Sequence, residues 1–195
     1  MNRSRFWLTG GLAVLLCVLG AGAGVHSQQR ETPKQLVVLN VPAPQIISSA
    51  ADWLNTGGKP VPFARGQVYV VHFWTFGCGN CKRNLPAYAQ WQKDYANSPL
   101  TIIGIHSPET AAERDPAKVA SETNRLGITY PVAIDGGSAN WKRWQQQWWP
   151  TVYLVDKWGN VRFYWMCELE WNGAGGTKIM QGLIDTLLRE PGPAA

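Results

Sequence analysis

Apolar and polar positions divide the chain into a leader and a folded body. Arg3 and Arg5 precede Phe6 to Val25, twenty residues without a charge. A basic start followed by such a run predicts a secretory signal or a single membrane anchor over residues 1–27. The run is long enough for a bilayer, but Gly10, Gly11, Gly20, Gly22 and Gly24 lower its hydropathy, and Ala21-Gly22-Ala23 suits a signal peptidase. Cleavage and retention are equally compatible with this pattern. Gln28 to Lys34 is polar, and residues 28–40 read as a tether with a short edge strand at Leu36–Leu39. Further on, Val68 to Trp74 is a continuous β-branched and aromatic run, the mark of a strand buried on both faces. Leu100–Ile105 and Thr129–Ile134 predict two more strands. Thr151–Val155 and Val161–Trp165 flank Asp156–Asn160 as a hairpin.

Helical segments alternate with these strands. Ala50–Leu54 reads as one helical turn. Asn80 to Tyr95 has helical composition interrupted by Pro86. Asp115-Pro116 starts a second helix with a capping side chain and an N1 proline, and Gly127 closes it. Ser138 begins a third, running to about Gln147. Thr177–Arg189 is amphipathic, with Ile179, Leu183, Ile184, Leu187 and Leu188 on one side. This alternation predicts an α/β domain over residues 41–190, with parallel crossovers first and an antiparallel edge from the hairpin. Residues 191–195 read as a tail.

Composition narrows the function. About 168 residues from Gln28 onward suffice for one core. Without Arg3 and Arg5 the 18 basic residues become 16, against 13 acidic ones. The basic residues are scattered, so nucleic acid is not an expected partner. The chain has 11 tryptophans, and Trp141, Trp144 and Trp148 recur at helical spacing. That stripe reads as core in preference to a carbohydrate or peptide platform.

The chemistry rests on Cys78-Gly79-Asn80-Cys81, which follows a buried strand and opens a helix. A helix N-terminus favours the thiolate, and thiol pKa values there fall to roughly 3.5–7.5 from about 8.5. Cys78, at the tip, is the expected nucleophile, and Cys81, one turn inward, the resolving thiol. A purely structural disulfide across this spacing closes too small a loop to stabilise much. Zinc needs two further ligands, and neither a second C-x-x-C nor an H-x-x-x-H is present. No metal and no cofactor beyond a Cys78–Cys81 disulfide is expected. Export places the pair in the periplasm or cell envelope, where disulfides persist. Cys17 reads as an apolar leader residue, and Cys167 as a buried free thiol.

Phe73-Trp74-Thr75-Phe76-Gly77-Cys78-Gly79-Asn80-Cys81-Lys82, followed by Pro86, resembles the active-site segment of thioredoxin-fold proteins. Trp149-Pro150-Thr151 resembles their cis-proline loop. Trp53-Leu54-Asn55, Gly104-Ile105-His106-Ser107-Pro108-Glu109 and Tyr130-Pro131-Val132-Ala133-Ile134-Asp135 are similar to the TlpA/ResA-like branch, especially the soluble redoxin domain of DipZ-type proteins. The likeness extends from about Val41 to Leu188.

The resemblance implies a thioredoxin-like three-layer fold with a mixed central sheet and an inserted helix–strand unit. It implies an enzyme exchanging its disulfide with thiols or disulfides of exported proteins, as a reductant recharged by a membrane electron donor. Residues 6–25 would contact the membrane if uncleaved. Substrate would lie at Trp149, Pro150 and Thr151, with Trp74 against the active-site turn; an ordinary trans proline opening a strand is the alternative. His72 stands where thioredoxins carry a buried acid, and is either a proton relay for Cys81 or a core histidine. Glu109 falls where the branch can place a carboxylate near the cysteines, and is the better candidate base. Two other functions remain: a peroxiredoxin-like peroxidase, which shares the fold but not the C-x-x-C logic, and a copper-binding metallochaperone, which needs His72 or His106 beside the thiols.

Overall fold

The run Val68–Trp74 is the middle strand of a seven-stranded sheet, with every residue buried. The computed structural model describes residues 35–193. The leader over 1–27, the start of the tether and the last two residues of the tail lie outside them. The strands are β1 (Leu36–Pro42), β2 (Trp53–Leu54), β3 (Val68–Trp74), β4 (Leu100–His106), β5 (Val132–Ile134), β6 (Thr151–Val155) and β7 (Asn160–Met166), in the order β1-β7-β6-β3-β4-β5-β2. The helices are α1 (Gly79–Asp94), α2 (Pro116–Arg125), α3 (Ala139–Arg143) and α4 (Gly176–Arg189).

β3, β4 and β5 run parallel, while β6, β7, β1 and β2 each pair antiparallel. The period-2 alternation of β3 divides its side chains between two cores. Val68, Val70 and Trp74 join Cys81, Leu85, Tyr88 and Trp91 of α1 and Met180, Ile184 and Leu187 of α4. Tyr69, Val71 and Phe73 join Trp53, Ile103, Ile105, Trp144 and Tyr153 on the other face. The result is the expected three-layer arrangement with a mixed central sheet, and the segment through α2 to β5 supplies the extra helix–strand unit.

Several sequence expectations shift. The hairpin β6–β7 does not end the sheet, because β1 covers it, and β1 begins inside the segment read as a tether. Only residues 50–52 of the expected helical turn are helical, and Trp53-Leu54 pairs with β5. The third strand shortens to Val132–Ile134: Pro131 has no N–H for a ladder, though its carbonyl accepts the Gly104 N–H. The helix expected to reach Gln147 stops at Arg143, and Gln145 turns left-handed with φ 53°. The tryptophan stripe is thereby broken. Trp144 is buried and Trp141 half-buried, whereas Trp148 is 52 % exposed.

Candidate active site

The strand β3 delivers the chain to a tight turn, and α1 begins immediately beyond it. Cys78 is the N-cap of α1, and its Sγ accepts the Cys81 N–H at 3.1 Å. One free amide of the first helical turn is therefore spent on the nucleophilic sulfur, the interaction that favours a thiolate. Cys78 and Cys81 are joined as a disulfide with Cα atoms 5.3 Å apart. Their environments differ: Cys78 is half-buried, whereas Cys81 is 1 % exposed and belongs to the core. An incoming sulfur reaches the first and not the second.

Each amide of the turn has a partner. The Cys78 N–H donates to Thr75 O at 3.2 Å, and the Phe76 N–H to His106 Nε2 at 3.3 Å. The Gly77 N–H donates to Glu113 Oε1 at 3.0 Å. The other oxygen of Glu113 accepts the N–H groups of Glu109 (2.7 Å) and Thr110 (2.8 Å). Glu113 is 2 % exposed. Burial pushes its carboxyl upward, but the Thr75 hydroxyl and the hydrogen-bonding amides of Thr110, Glu109 and Gly77 outweigh that, and its pKa lies below the ordinary carboxylate value. No sequence reading singled out Glu113. The signal was there as Thr110-Ala-Ala-Glu113, the spacing of a capping box, whose glutamate reaches back to the cap amide.

The expected proton partners fall elsewhere. Glu109 has an exposed side chain and contributes its amide. His72 is wholly buried, stacked on Tyr88 at 4.2 Å, with no hydrogen-bond partner at either nitrogen. Burial pushes its pKa down to about 3, so it is neutral at pH 7. His106, one residue past the predicted strand Leu100–Ile105, ends β4 and lies buried beneath the turn, edge-on to Trp74. Burial, opposed by the attraction of Glu113, holds its pKa at about 4. Trp74 is also wholly buried, so it supports the turn from below and offers no surface to a substrate.

The Trp149–Pro150 peptide is cis. Trp149 donates its Nε1–H to Ser107 O at 3.1 Å and stacks on Trp141 at 3.9 Å. With Phe76 and Cys78 it packs on the core cluster that contains Cys81. Thr151 is buried and donates its hydroxyl to Trp148 O. Asp135 secures this side: its carboxylate accepts the Ser107 hydroxyl and the amides of Asn140 and Trp141. Cys167 is free but half-buried, at φ 68°, and its N–H donates to Pro150 O at 2.8 Å. The segment after it grips α1 through Glu168–Arg83 (2.7 Å) and Leu169 N–H to Asn84 Oδ1 (2.9 Å). Among the described residues no three His, Cys, Asp or Glu side chains are grouped to hold a metal ion.

Comparison with known proteins agrees with this geometry. The model of the AhpC/TSA family matches residues 46–164. Protein DipZ of Mycobacterium tuberculosis is 38 % identical over 144 residues, which is 72 % of this chain and 20 % of DipZ. The chain thus spans about a fifth of the length of that relative. The thiol-disulfide oxidoreductase YkuV of Bacillus subtilis is 24 % identical over 152 residues, covering 78 % of this chain and 97 % of YkuV. The structure of a thiol-disulfide isomerase from Corynebacterium glutamicum superposes with a TM-score of 0.61 at 23 % identity, covering 76 % of this chain and 98 % of that one. The half-buried and buried sulfurs and the thioredoxin-like sheet accord with these relatives, and the chain belongs to the AhpC/TSA family.

Proposed function

We propose that this protein is a thiol–disulfide oxidoreductase that acts outside the cytoplasm as a reductant for disulfides of exported proteins. The observation that carries the exchange mechanism is the asymmetry of the two sulfurs, one at an accessible helix tip and one in the core. In the reduced enzyme the Cys78 thiolate attacks a substrate disulfide, forming a mixed disulfide and releasing one substrate thiolate. The Cys81 thiolate then attacks Cys78 Sγ, the Cys78–Cys81 bond forms, and the second substrate thiolate leaves. Two electrons pass to the substrate, and each departing thiolate takes up a proton according to its pKa. A membrane electron donor returns two electrons to the disulfide.

The substrate segment lies against half-buried Trp149, beside the cysteine turn, whereas Pro150 and Thr151, expected to share that contact, are buried and shape the loop beneath it. No metal or added cofactor takes part. Export is supported by Arg3 and Arg5 ahead of the uncharged run Phe6–Val25, and the reducing direction by the resemblance to the TlpA/ResA-like branch. Reduction of insulin with dithiothreitol as donor tests the exchange. Cys78→Ala abolishes it, and Cys81→Ser accumulates mixed disulfide at Cys78, visible as a mass adduct. Retained turnover in Cys78→Ala contradicts the assignment. Faster consumption of hydrogen peroxide than of insulin disulfide replaces it with a peroxidase, and tight stoichiometric copper binding with a metallochaperone. A phosphatase fused after residue 34 and active outside the cytoplasm supports the location; an inactive cytoplasmic fusion removes it.

A further inference from the structure

The carboxylate of Glu113 is anchored under the turn that carries the nucleophile, and its bonds come from groups that bring no charge. Its three donors are backbone amides. None of the ion pairs among the described residues includes it. Its fit to the turn is close: a Cβ placed on Gly77 would collide with Glu113 Oε1. Since Oε1 is 3.0 Å from the amide of Gly77, the charge lies within roughly 11 Å of Cys78 Sγ, that hydrogen bond plus the reach of one residue of backbone and a cysteine side chain.

We propose that Glu113 is a positioning residue that makes the Cys78–Cys81 couple more reducing, by holding a fixed negative charge beside the nucleophilic sulfur. The inference rests on the exchange chemistry above and deepens it. Reduction of the disulfide takes two electrons. Below the pKa of Cys78 it also takes two protons and leaves two neutral thiols. Above that pKa it takes one proton and leaves a Cys78 thiolate within range of the Glu113 charge. The carboxylate raises the energy of that thiolate and leaves the neutral disulfide unaffected, so it pushes electrons out of the pair. It opposes the helix terminus, which stabilises the same thiolate. At the effective dielectric of a protein surface, a unit charge at this distance shifts the thiolate equilibrium by about tenfold.

The other ionisable groups around the turn do not cancel it. His106, on β4, stays neutral down to about pH 4. On α1, Arg83 is held by Glu168 and Asn80, and Lys82 is half-exposed. Cys167, beyond β7, meets the site through its amide.

The test compares wild-type protein with Glu113→Gln and Glu113→Asp. Cys78 is titrated by its alkylation rate, and the couple is equilibrated with glutathione across pH. Removing the charge lowers the Cys78 pKa by about one unit. It moves the equilibrium about tenfold toward the dithiol, about 30 mV toward a more oxidising couple, at pH values above that pKa only. Glu113→Asp restores most of the wild-type behaviour. A shift of equal size at every pH indicates a merely structural part for Glu113 and overturns the proposal, as does an unchanged or raised Cys78 pKa. If Glu113→Gln does not fold, Glu113→Asp is read alone: it withdraws the same charge by one methylene, so the Cys78 pKa falls by less than a unit, and no fall overturns the proposal. The absolute potential of the wild type tests the reductant reading, whereas the difference between variant and wild type tests this one.

Discussion

At the scale of single residues, the two buried histidines make folding pH-dependent in a defined sense. Burial lowers His72 from 6.5 to about 3 and His106 from 6.5 to about 4. In the unfolded chain both take up a proton near the ordinary value, so the unfolded state binds more protons below it. Their stabilisation is complete above pH 6.5 and is lost as pH falls toward the folded values. By pH 5 the loss is about 2 kcal/mol for each. His72→Phe keeps the stack on Tyr88 and removes the titration. Urea unfolding at pH 7 and pH 5 then shows a loss smaller by about 2 kcal/mol in the variant, and an undiminished loss contradicts the assignment. Gly104 is the neighbouring constraint. A Cβ there would sit 3.0 Å from both His72 Nε2 and Trp74 Nε1, in a region with no slack. Gly104→Ala therefore costs about 1–3 kcal/mol by overpacking, read from the midpoint of thermal unfolding. A neutral outcome would show that β4 can shift away from β3.

At the scale of elements, the site depends on the segments after β4 and β5 meeting at the end of the sheet. Asp135, at the end of β5, receives the Ser107 hydroxyl beyond β4 and caps α3 through Asn140 and Trp141. Trp141 in turn stacks on Trp149. Asp135→Ala leaves these buried donors without a partner and costs about 3 kcal/mol. It also slows insulin reduction, because the support of Trp149 goes with it. Normal turnover in a destabilised Asp135→Ala would separate the proline loop from this network. The elements also show what the sequence can reveal. β3 was legible because Val68–Trp74 is buried on both faces, and α2 because Asp115 and Pro116 are local signals acting within one turn. The end of α3 was not, since Trp144-Gln145 continues a helical pattern while the chain must turn toward Pro150. Glu113 escaped notice for a similar reason. Its capping role is local, but its bond to Gly77 joins residues far apart in sequence.

At the scale of the whole molecule, the cysteine pair, its place between strand and helix, and the spread of motifs made the fold readable before any coordinates. The sheet edges were less so: β1 and β2 are short, and their pairing with β7 and β5 depends on contacts across the chain. What the fold then provides is a half-buried sulfur at the tip of α1, a buried partner sulfur, and a carboxylate beneath the turn. On these features and the TlpA/ResA-like resemblance rests the proposal that the enzyme gives electrons. The reduction potential of the Cys78–Cys81 couple, measured against glutathione at pH 7, tests that most directly. The account predicts a value more negative than about −200 mV, on the thioredoxin side of the scale. A value near −120 mV, that of a strong disulfide donor, would contradict it.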